Sequence, residues 1–235
     1  MKKIDKPCIA FKLNYCDGGK NSERIGFYGI CSDSVIKYNI KIKNRRWCSN
    51  EDCACRQYFD EKISRDDLEE NWDEEIGSNY FSCLESQAFR DWYFNAGNNS
   101  DGKPRPIRGA KNGHLCIFTT VEPNMPEDSR IVIAMFIIGK VFEGDEEYPG
   151  SVESNDNFDY CLEFSPNEAR KIKFWEIYQN PNAPDSIKWG SGLFRYFSDK
   201  DAVKFLEMAV EVKRGTDDEE FAEEFLNYYR ELNKI

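Results

Sequence analysis

Apolar and polar residues alternate along short stretches near the N-terminus and again after residue 114, which is the pattern of β-strands with one buried face. Strands are predicted over residues 8–15, 25–31, 35–42, 114–120, 130–142, 160–164 and 189–196. Within the longest of them, residues 131–138 are almost continuously apolar, which is typical of a strand covered on both faces. This stretch is expected to lie at the centre of the core.

Helical spacing of apolar residues, often preceded by capping residues, predicts the remaining elements. Helices are expected over residues 64–75, 83–96, 167–178, 198–213 and from residue 216 onward. The fold class predicted is α+β: a mixed, mostly antiparallel barrel-like sheet with flanking helices and a cysteine-rich N-terminal β element. Residues 1–76 are expected to form that element, and residues 77–235 the barrel with the C-terminal helices.

The composition of the chain indicates its cellular compartment and excludes some classes of protein. The chain of 235 residues has no apolar run near the roughly 20 residues that a membrane span requires, so no membrane association is expected. The N-terminus is basic but has no apolar segment after it, and is therefore not a secretory signal. Nine cysteines without such a signal favour reduced thiols, so a cytoplasmic protein is predicted.

The formal net charge of -11 argues against indiscriminate coating of nucleic acid. The charge is unevenly distributed along the chain, because residues 37–46 and 103–111 contain basic residues and no acid and are therefore locally positive. If residues 35–42 form a strand, Lys37, Lys41 and Lys43 project from one face. They would contact phosphates, or alternatively protect an edge strand against aggregation. The predicted phosphate contacts are Lys37, Lys41, Lys43, Arg45, Arg46, Arg105 and Arg108.

A group of thiols follows the first basic segment. Four cysteine thiolates bind zinc tetrahedrally, and the chain between Cys31 and Cys48 would bring distant ligands together. The predicted ligands of a structural zinc are Cys31, Cys48, Cys53 and Cys55, with Cys16 as the alternative to Cys31. An iron–sulfur cluster and unliganded thiols are the other interpretations.

Aromatic residues are abundant, and most of them are expected in the core. Some could enclose a base, since nucleobases stack on aromatic rings. Trp189 is the leading candidate because Gly190 and Gly192 allow a ligand close to the backbone. The predicted base-binding residues are Trp92, Asn98, Thr119, Thr120, Arg130, Trp189, Arg195 and Tyr196.

Enzyme motifs are scarce in the chain. A single histidine excludes metal sites with several histidine ligands, and there is no glycine-rich phosphate loop. The Glu-x-Lys pattern that ends at Lys213 lies in a predicted helix, where the strand geometry of a nuclease is not available. The sequence leaves open one catalytic alternative, a cysteine nucleophile activated by His114.

Residues 114–120, 126–130, 131–141 and 160–164 form an order of strands and loops that resembles the PUA-like superfamily, which includes EVE, ASCH and YTH domains. The resemblance is one of pattern and covers roughly residues 83–213. It implies a compact β-barrel that recognises a nucleotide, often a modified base, in an aromatic pocket, sometimes within a restriction system.

The function predicted is nucleic-acid binding, DNA or RNA, with recognition of one modified or flipped base in a restriction or RNA-modification context. One alternative is an enzyme acting on a nucleotide or small metabolite in the barrel mouth, with Glu85, Glu127 or Glu163 as general base. The other is a protein-interaction module whose acidic C-terminal helix recruits a basic partner.

Overall fold

The computed structural model describes residues 5–20, 26–73, 84–99, 101–190 and 192–235. The chain packs as two compact units. The first, the sheet unit, consists of Met1–Leu13, Trp92–Val121 and Met125–Ile235; the second, the helical unit, consists of Asn14–Asp91 and Glu122–Asn124. The domain boundary predicted between residues 76 and 77 lies outside the described residues.

Helices and mixed sheets are both present, which confirms the α+β class. The strands are β1 Cys8–Lys12, β2 Tyr93–Asn95, β3 Leu115–Thr120, β4 Ile131–Ile137, β5 Lys140–Gly144, β6 Pro149–Glu153, β7 Cys161–Glu163 and β8 Phe194–Phe197. The helices are α1 Asp33–Lys37, α2 Ala54–Phe59, α3 Arg65–Asp73, α4 Leu84–Arg90, α5 Pro166–Ala169, α6 Phe174–Ile177, α7 Asp199–Lys213 and α8 Glu219–Asn233. A π-helical segment, Tyr38–Ile42, continues α1.

A five-stranded sheet in the order β7-β4-β3-β1-β8 is the centre of the sheet unit. β1 and β3 run parallel, and the other neighbours are antiparallel. Every residue of β3 and β4 is buried, as the nearly continuous apolar sequence of β4 predicts. β1 is the strand predicted over residues 8–15, and its two neighbours place it in this sheet.

The sheets are mixed and mostly antiparallel as predicted, but the predicted barrel-like sheet does not close into a barrel. Strands β2, β6 and β5 form a separate three-stranded sheet, and among the described residues β7 and β8 are the edges of the larger sheet. The predicted strand over residues 130–142 is divided between the two sheets, since β4 ends at Ile137 and β5 begins at Lys140. A side chain at Gly139 would meet the backbone nitrogen of Asn155 at 2.5 Å, so the turn between these strands requires glycine.

The helical unit does not contain the strands predicted for the cysteine-rich N-terminal element. Residues 26–31 form no strand, and residues 33–42 are helical. The buried positions explain the helix, since Val35, Ile36, Asn39 and Ile40 recur at helical spacing. Strict alternation would instead bury Ile42, which is 65% exposed, and expose Asn39, which is 1% exposed.

Capping at the starts of helices follows the sequence. The Ser64 hydroxyl accepts a hydrogen bond from the Asp67 N–H at 3.1 Å, and the Asp67 carboxylate accepts from the Ser64 N–H at 2.8 Å, before α3. The Ser198 hydroxyl accepts from the Asp201 N–H before α7. No helix within the described part of the chain is long and apolar enough to cross a membrane.

Candidate nucleic-acid interface

Four exposed cations follow one another along the helical unit, and we call Lys37, Lys41, Lys43 and Arg46 the basic series. Lys37 and Lys41 are four residues apart in the helical segment, so they lie on the same side of it. Four of the cations in the segment that the sequence predicts to be basic are therefore exposed, although a helix and not a strand presents the first two.

Three of these cations lie over aromatic rings. The Lys41 Nζ is 5.3 Å from the centre of the Phe59 ring, and the Lys43 Nζ is 5.6 Å from the centre of the Tyr38 ring. The Arg46 guanidinium carbon is 5.9 Å from the Trp47 ring. Cations alternating with rings are the arrangement by which proteins hold both the phosphates and the bases of single strands.

None of the basic series forms an ion pair with a carboxylate of the described residues. Other arginines of the same unit do, since Arg56 Nε lies 2.7 Å from Asp60 and Arg65 Nε lies 2.7 Å from Glu69. The local positive charge of the basic series is therefore not neutralised by the acids that dominate the chain as a whole.

Arg45 differs from its exposed neighbours. It is half-buried, and its Nε is enclosed without a hydrogen-bond partner in the described structure. Burial raises the pKa of the Cys48 thiol, and the charge of Arg45 acts in the opposite direction. Arg45 thus lies close to the thiols, and its predicted role as a phosphate contact stays a prediction.

The second predicted phosphate segment belongs to the sheet unit. Arg108 is exposed, and Arg105 is half-buried with its Nε donating to the Asn99 side chain at 2.8 Å. Asn98 is half-buried and forms an isolated bridge with Pro104. Neither arginine forms an ion pair with a described carboxylate, so both remain available to an anion.

Four of the predicted base-binding residues meet in one cluster of the sheet unit. Trp189 lies between two cations, with the guanidinium carbon of Arg130 4.6 Å and that of Arg195 5.6 Å from its ring centre. Thr119 joins them through a hydrogen bond from Arg130 at 3.2 Å. Trp189 is only 3% exposed, so its ring is closed to a stacked base in this structure.

Arg130 is held by Glu127, a residue considered above as a general base. The Arg130 Nε and its second terminal nitrogen donate to the two Glu127 oxygens at 2.5 and 2.9 Å. Trp175 also donates to Glu127, at 3.2 Å. Glu127 is therefore the partner of a buried arginine, and a bidentate pair of this kind fixes both side chains.

The other predicted base-binding residues are dispersed through the sheet unit. Trp92 is 8% exposed and packs on Phe136, with ring centres 5.8 Å apart. Thr120 is fully buried and donates to the Leu13 carbonyl at 3.2 Å. The Tyr196 hydroxyl accepts the Arg108 N–H at 3.0 Å. Burial of Trp92 and Thr120 gives them packing roles in this structure.

Thiols gather in the helical unit, near the end of the basic series. Cys48 is influenced electrostatically by Cys53 and Cys16. The hydrogen bond from the Cys55 thiol lowers the pKa of Cys53 to about 7. Cys31 is buried in the same unit. The charge of a Cys16 thiolate would therefore act on Cys48, and Cys16 is the predicted alternative to Cys31 as the fourth ligand.

The thiols are not preassembled as a metal centre. Zinc–sulfur bonds of about 2.3 Å require sulfurs about 3.8 Å apart. In the described part of the chain, the three-residue group whose donor atoms all lie within 4.8 Å is Cys8, His114 and Asp199. Zinc binding by the helical unit's cysteines would therefore require the loop around Cys48 to draw inward.

The Cys8 group is a hydrogen-bonded network of the sheet unit. The Asp199 Oδ1 accepts from the Tyr229 hydroxyl at 2.6 Å and from the Cys8 thiol at 3.4 Å, and lies 2.7 Å from the His114 Nδ1. The network joins β1, the start of β3, α7 and α8. These bonds account for the closeness of the three donor atoms without a metal.

The same geometry argues against a cysteine nucleophile at this position. Cys8 and His114 both contact the Asp199 carboxylate, and no hydrogen bond joins the Cys8 thiol to the His114 ring among the described residues. Burial also raises the pKa of Cys8, which keeps it a neutral thiol.

We expect the network to make stability depend on acid pH through Asp199. Burial acts to raise the Asp199 pKa, but hydrogen bonds from His114 and Tyr229 outweigh it, so the pKa is lowered from 3.8. A lowered pKa contributes stability above the unfolded-state value, and that contribution is lost as pH falls through the folded-state value. Asp199→Asn should cost about 1–3 kcal/mol at neutral pH and flatten the acid limb of a urea-unfolding profile. Asp185→Asn, at an exposed position, should change neither the stability at neutral pH nor its loss in acid. If stability depends on pH in the same way in Asp199→Asn and in the unmodified protein, Asp199 is not the titrating group.

Comparison of the chain with family models, with curated proteins and with solved structures gives no match. The PUA-like resemblance therefore stays a prediction.

Proposed function

We propose that the protein binds nucleic acid through the basic series of its helical unit. The observation that carries the proposal is the run of exposed cations from Lys37 to Arg46, free of described carboxylate ion pairs on a chain of net charge -11. Lysine and arginine neutralise phosphates and release counterions, which supplies most of the sequence-independent affinity for nucleic acid. The acidic remainder would confine the polyanion to this surface.

Recognition of a modified or flipped base is a finer proposal than backbone binding. Trp189, Arg130 and Thr119 form a suitable set of ring and hydrogen-bond donors, but they are buried and bonded to one another. Base recognition by this set would require the segment that carries Trp189 to open. The binding of backbone does not depend on that opening.

The test is a binding titration of the purified chain with a fluorescently labelled oligonucleotide at increasing salt. We expect affinity to fall steeply with salt, because each neutralised phosphate of a single strand contributes about 0.7 to the slope of log K against log salt. Affinity that does not vary with salt, or no binding at low salt, would refute the proposal. Turnover of a nucleotide without such binding would favour the enzyme alternative, and capture of a basic protein by α8 would favour the interaction module.

We also propose that zinc organises the thiols next to the basic series. Cys48 follows Arg46 by two residues, so an ion held by Cys48, Cys53 and Cys55, with Cys16 or Cys31, would fix the end of the basic segment. The low pKa of Cys53 favours the thiolate that a metal requires. Next to these thiols, the buried Ser49 Oγ has no hydrogen-bond partner in the described structure.

Elemental analysis should find about one zinc per chain, absent from Cys53→Ser and retained in Cys8→Ser. Retention of zinc in Cys53→Ser with its absence from Cys8→Ser would move the ion to the Cys8 network. A protein that purifies without zinc or iron, and takes up neither when reduced, would leave the thiols as buried packing residues.

A further inference from the structure

A pocket of about 560 Å³ opens in the helical unit beside the basic series. Its lining includes Lys37, Tyr58, Phe59 and Ile63. Its volume falls in the range of about 300–1,000 Å³ that is usual for small-ligand sites.

Two residues connect this pocket to the basic series. Lys37 belongs to both. Phe59 lines the pocket and also carries the Lys41 ammonium over its ring at 5.3 Å. A polyanion held by Lys37 and Lys41 would therefore pass the mouth of the pocket.

The apolar part of the lining suits a flat ring. Tyr58 and Phe59 are half-buried, so each ring is partly accessible, and Ile63 adds aliphatic surface. One cation lies near each ring, Arg65 at 5.7 Å from Tyr58 and Lys41 at 5.3 Å from Phe59. Stacking of a nucleobase on an aromatic side chain contributes roughly 1–3 kcal/mol and tolerates any base sequence. The rings of this pocket are accessible in a way that Trp92 and Trp189 are not.

Charge decides which part of a nucleotide enters. The lining includes the carboxylates Asp33, Glu61 and Asp67 and the ammonium groups Lys37 and Lys62. Arg65 pairs with Asp33 at 3.2 Å, so the remaining charges of the lining nearly balance and give an anion no net attraction inside, whereas an uncharged base needs none. The phosphate is therefore expected at the rim, next to Lys37 and Lys41.

We propose that this pocket holds one unpaired nucleobase while the basic series holds the flanking phosphates, so that the ligand is a single strand. The inference rests on the proposed function and adds a ligand class to it. A base within a duplex is stacked and paired on both sides, and it cannot enter without being extruded. Single-stranded nucleic acid is therefore bound more tightly than a duplex of the same length.

The test compares a single strand and a blunt-ended duplex of matched length, with four proteins measured by fluorescence anisotropy. Phe59→Leu removes the ring but keeps apolar volume, and should weaken single-strand binding about 5- to 100-fold while leaving duplex binding little changed. Lys41→Gln should weaken binding of both ligands. Phe142→Leu, at an exposed ring of the sheet unit, is the matched control and should bind like the unmodified protein.

A second measurement does not depend on a variant that must fold. 2-Aminopurine placed in the single strand should change its fluorescence on binding the unmodified protein, because the base moves onto an aromatic ring. Equal affinity for single strand and duplex, or Phe59→Leu binding like the control, would overturn the pocket assignment while leaving the proposed function standing. Absence of any salt-dependent binding by the unmodified protein would overturn both.

Discussion

Replacing Lys37, Lys41, Lys43 and Arg46 together by glutamine is expected to weaken oligonucleotide binding about 1,000- to 10,000-fold at ~50 mM salt. Each neutralised phosphate of a single strand contributes about 0.7 to the salt slope, which corresponds to nearly tenfold in affinity per phosphate at this salt concentration. The four side chains are exposed and form no ion pair with a described carboxylate, so their replacement breaks no interaction of that kind. The affinity would be measured by fluorescence anisotropy.

The control for this variant carries the same change in net charge elsewhere. Lys171, Lys188, Lys200 and Arg214 are exposed residues of the sheet unit, and replacing them by glutamine should lower affinity only slightly. If the control variant is weakened as much as the basic-series variant, binding depends on total charge and not on this surface.

Arg130→Met is expected to destabilise the protein by about 3–5 kcal/mol, the largest loss of stability we predict for a single substitution. Arg130 is 3% exposed, and its guanidinium is bonded to both Glu127 oxygens and to Thr119. Removing it leaves the Glu127 carboxylate without its charged partner. Chemical unfolding in urea would measure the loss, and thermal unfolding should show a fall of roughly 6–20 °C.

A second substitution tests whether the unpaired carboxylate is the cause. Glu127→Gln in the Arg130→Met background should recover part of the stability, because it removes the uncompensated charge. Arg214→Met, at an exposed position, should change stability by less than about 1 kcal/mol. A loss for Arg130→Met as small as that of Arg214→Met would show that the Glu127 pair contributes little.

The sequence predicts best where one periodicity dominates. β4 and the helices α7 and α8 lie where the sequence places them, because a continuous apolar run and strong amphipathic patterns have a single solution. Residues 35–42 were ambiguous, since their β-branched residues satisfy alternation while their buried positions satisfy a helix. Packing against the rest of the helical unit selects the helix, and the local sequence of this segment does not distinguish a helix from a strand.

The pairing of strands that are distant in the chain could not be predicted from the sequence, for a different reason. Whether β7 and β8 meet and close a barrel depends on how strands from distant parts of the chain associate, and the apolar pattern of each strand is the same in an open sheet. The same limit applies to the candidate site. The cations between Lys37 and Arg46 were visible as a charge run, but Tyr58 and Phe59 become relevant only because the fold brings them to Lys37 and Lys41.

Burial explains the remaining differences at single residues. The ring of Trp189 and the guanidinium of Arg130 make them candidates from the sequence, and the structure does bring the two side chains together. The sequence does not show that both are buried. Glu127 three residues before Arg130 was the one available signal, because oppositely charged residues at that spacing often pair.

The most direct test of the account is the salt slope of oligonucleotide binding, compared between the unmodified protein and the variant with glutamine at Lys37, Lys41, Lys43 and Arg46. If these four side chains bind phosphates, the slope of log K against log salt should become shallower by about 3, that is, about 0.7 for each phosphate that is no longer neutralised. The same slope in both proteins would contradict the proposal that this surface binds nucleic acid.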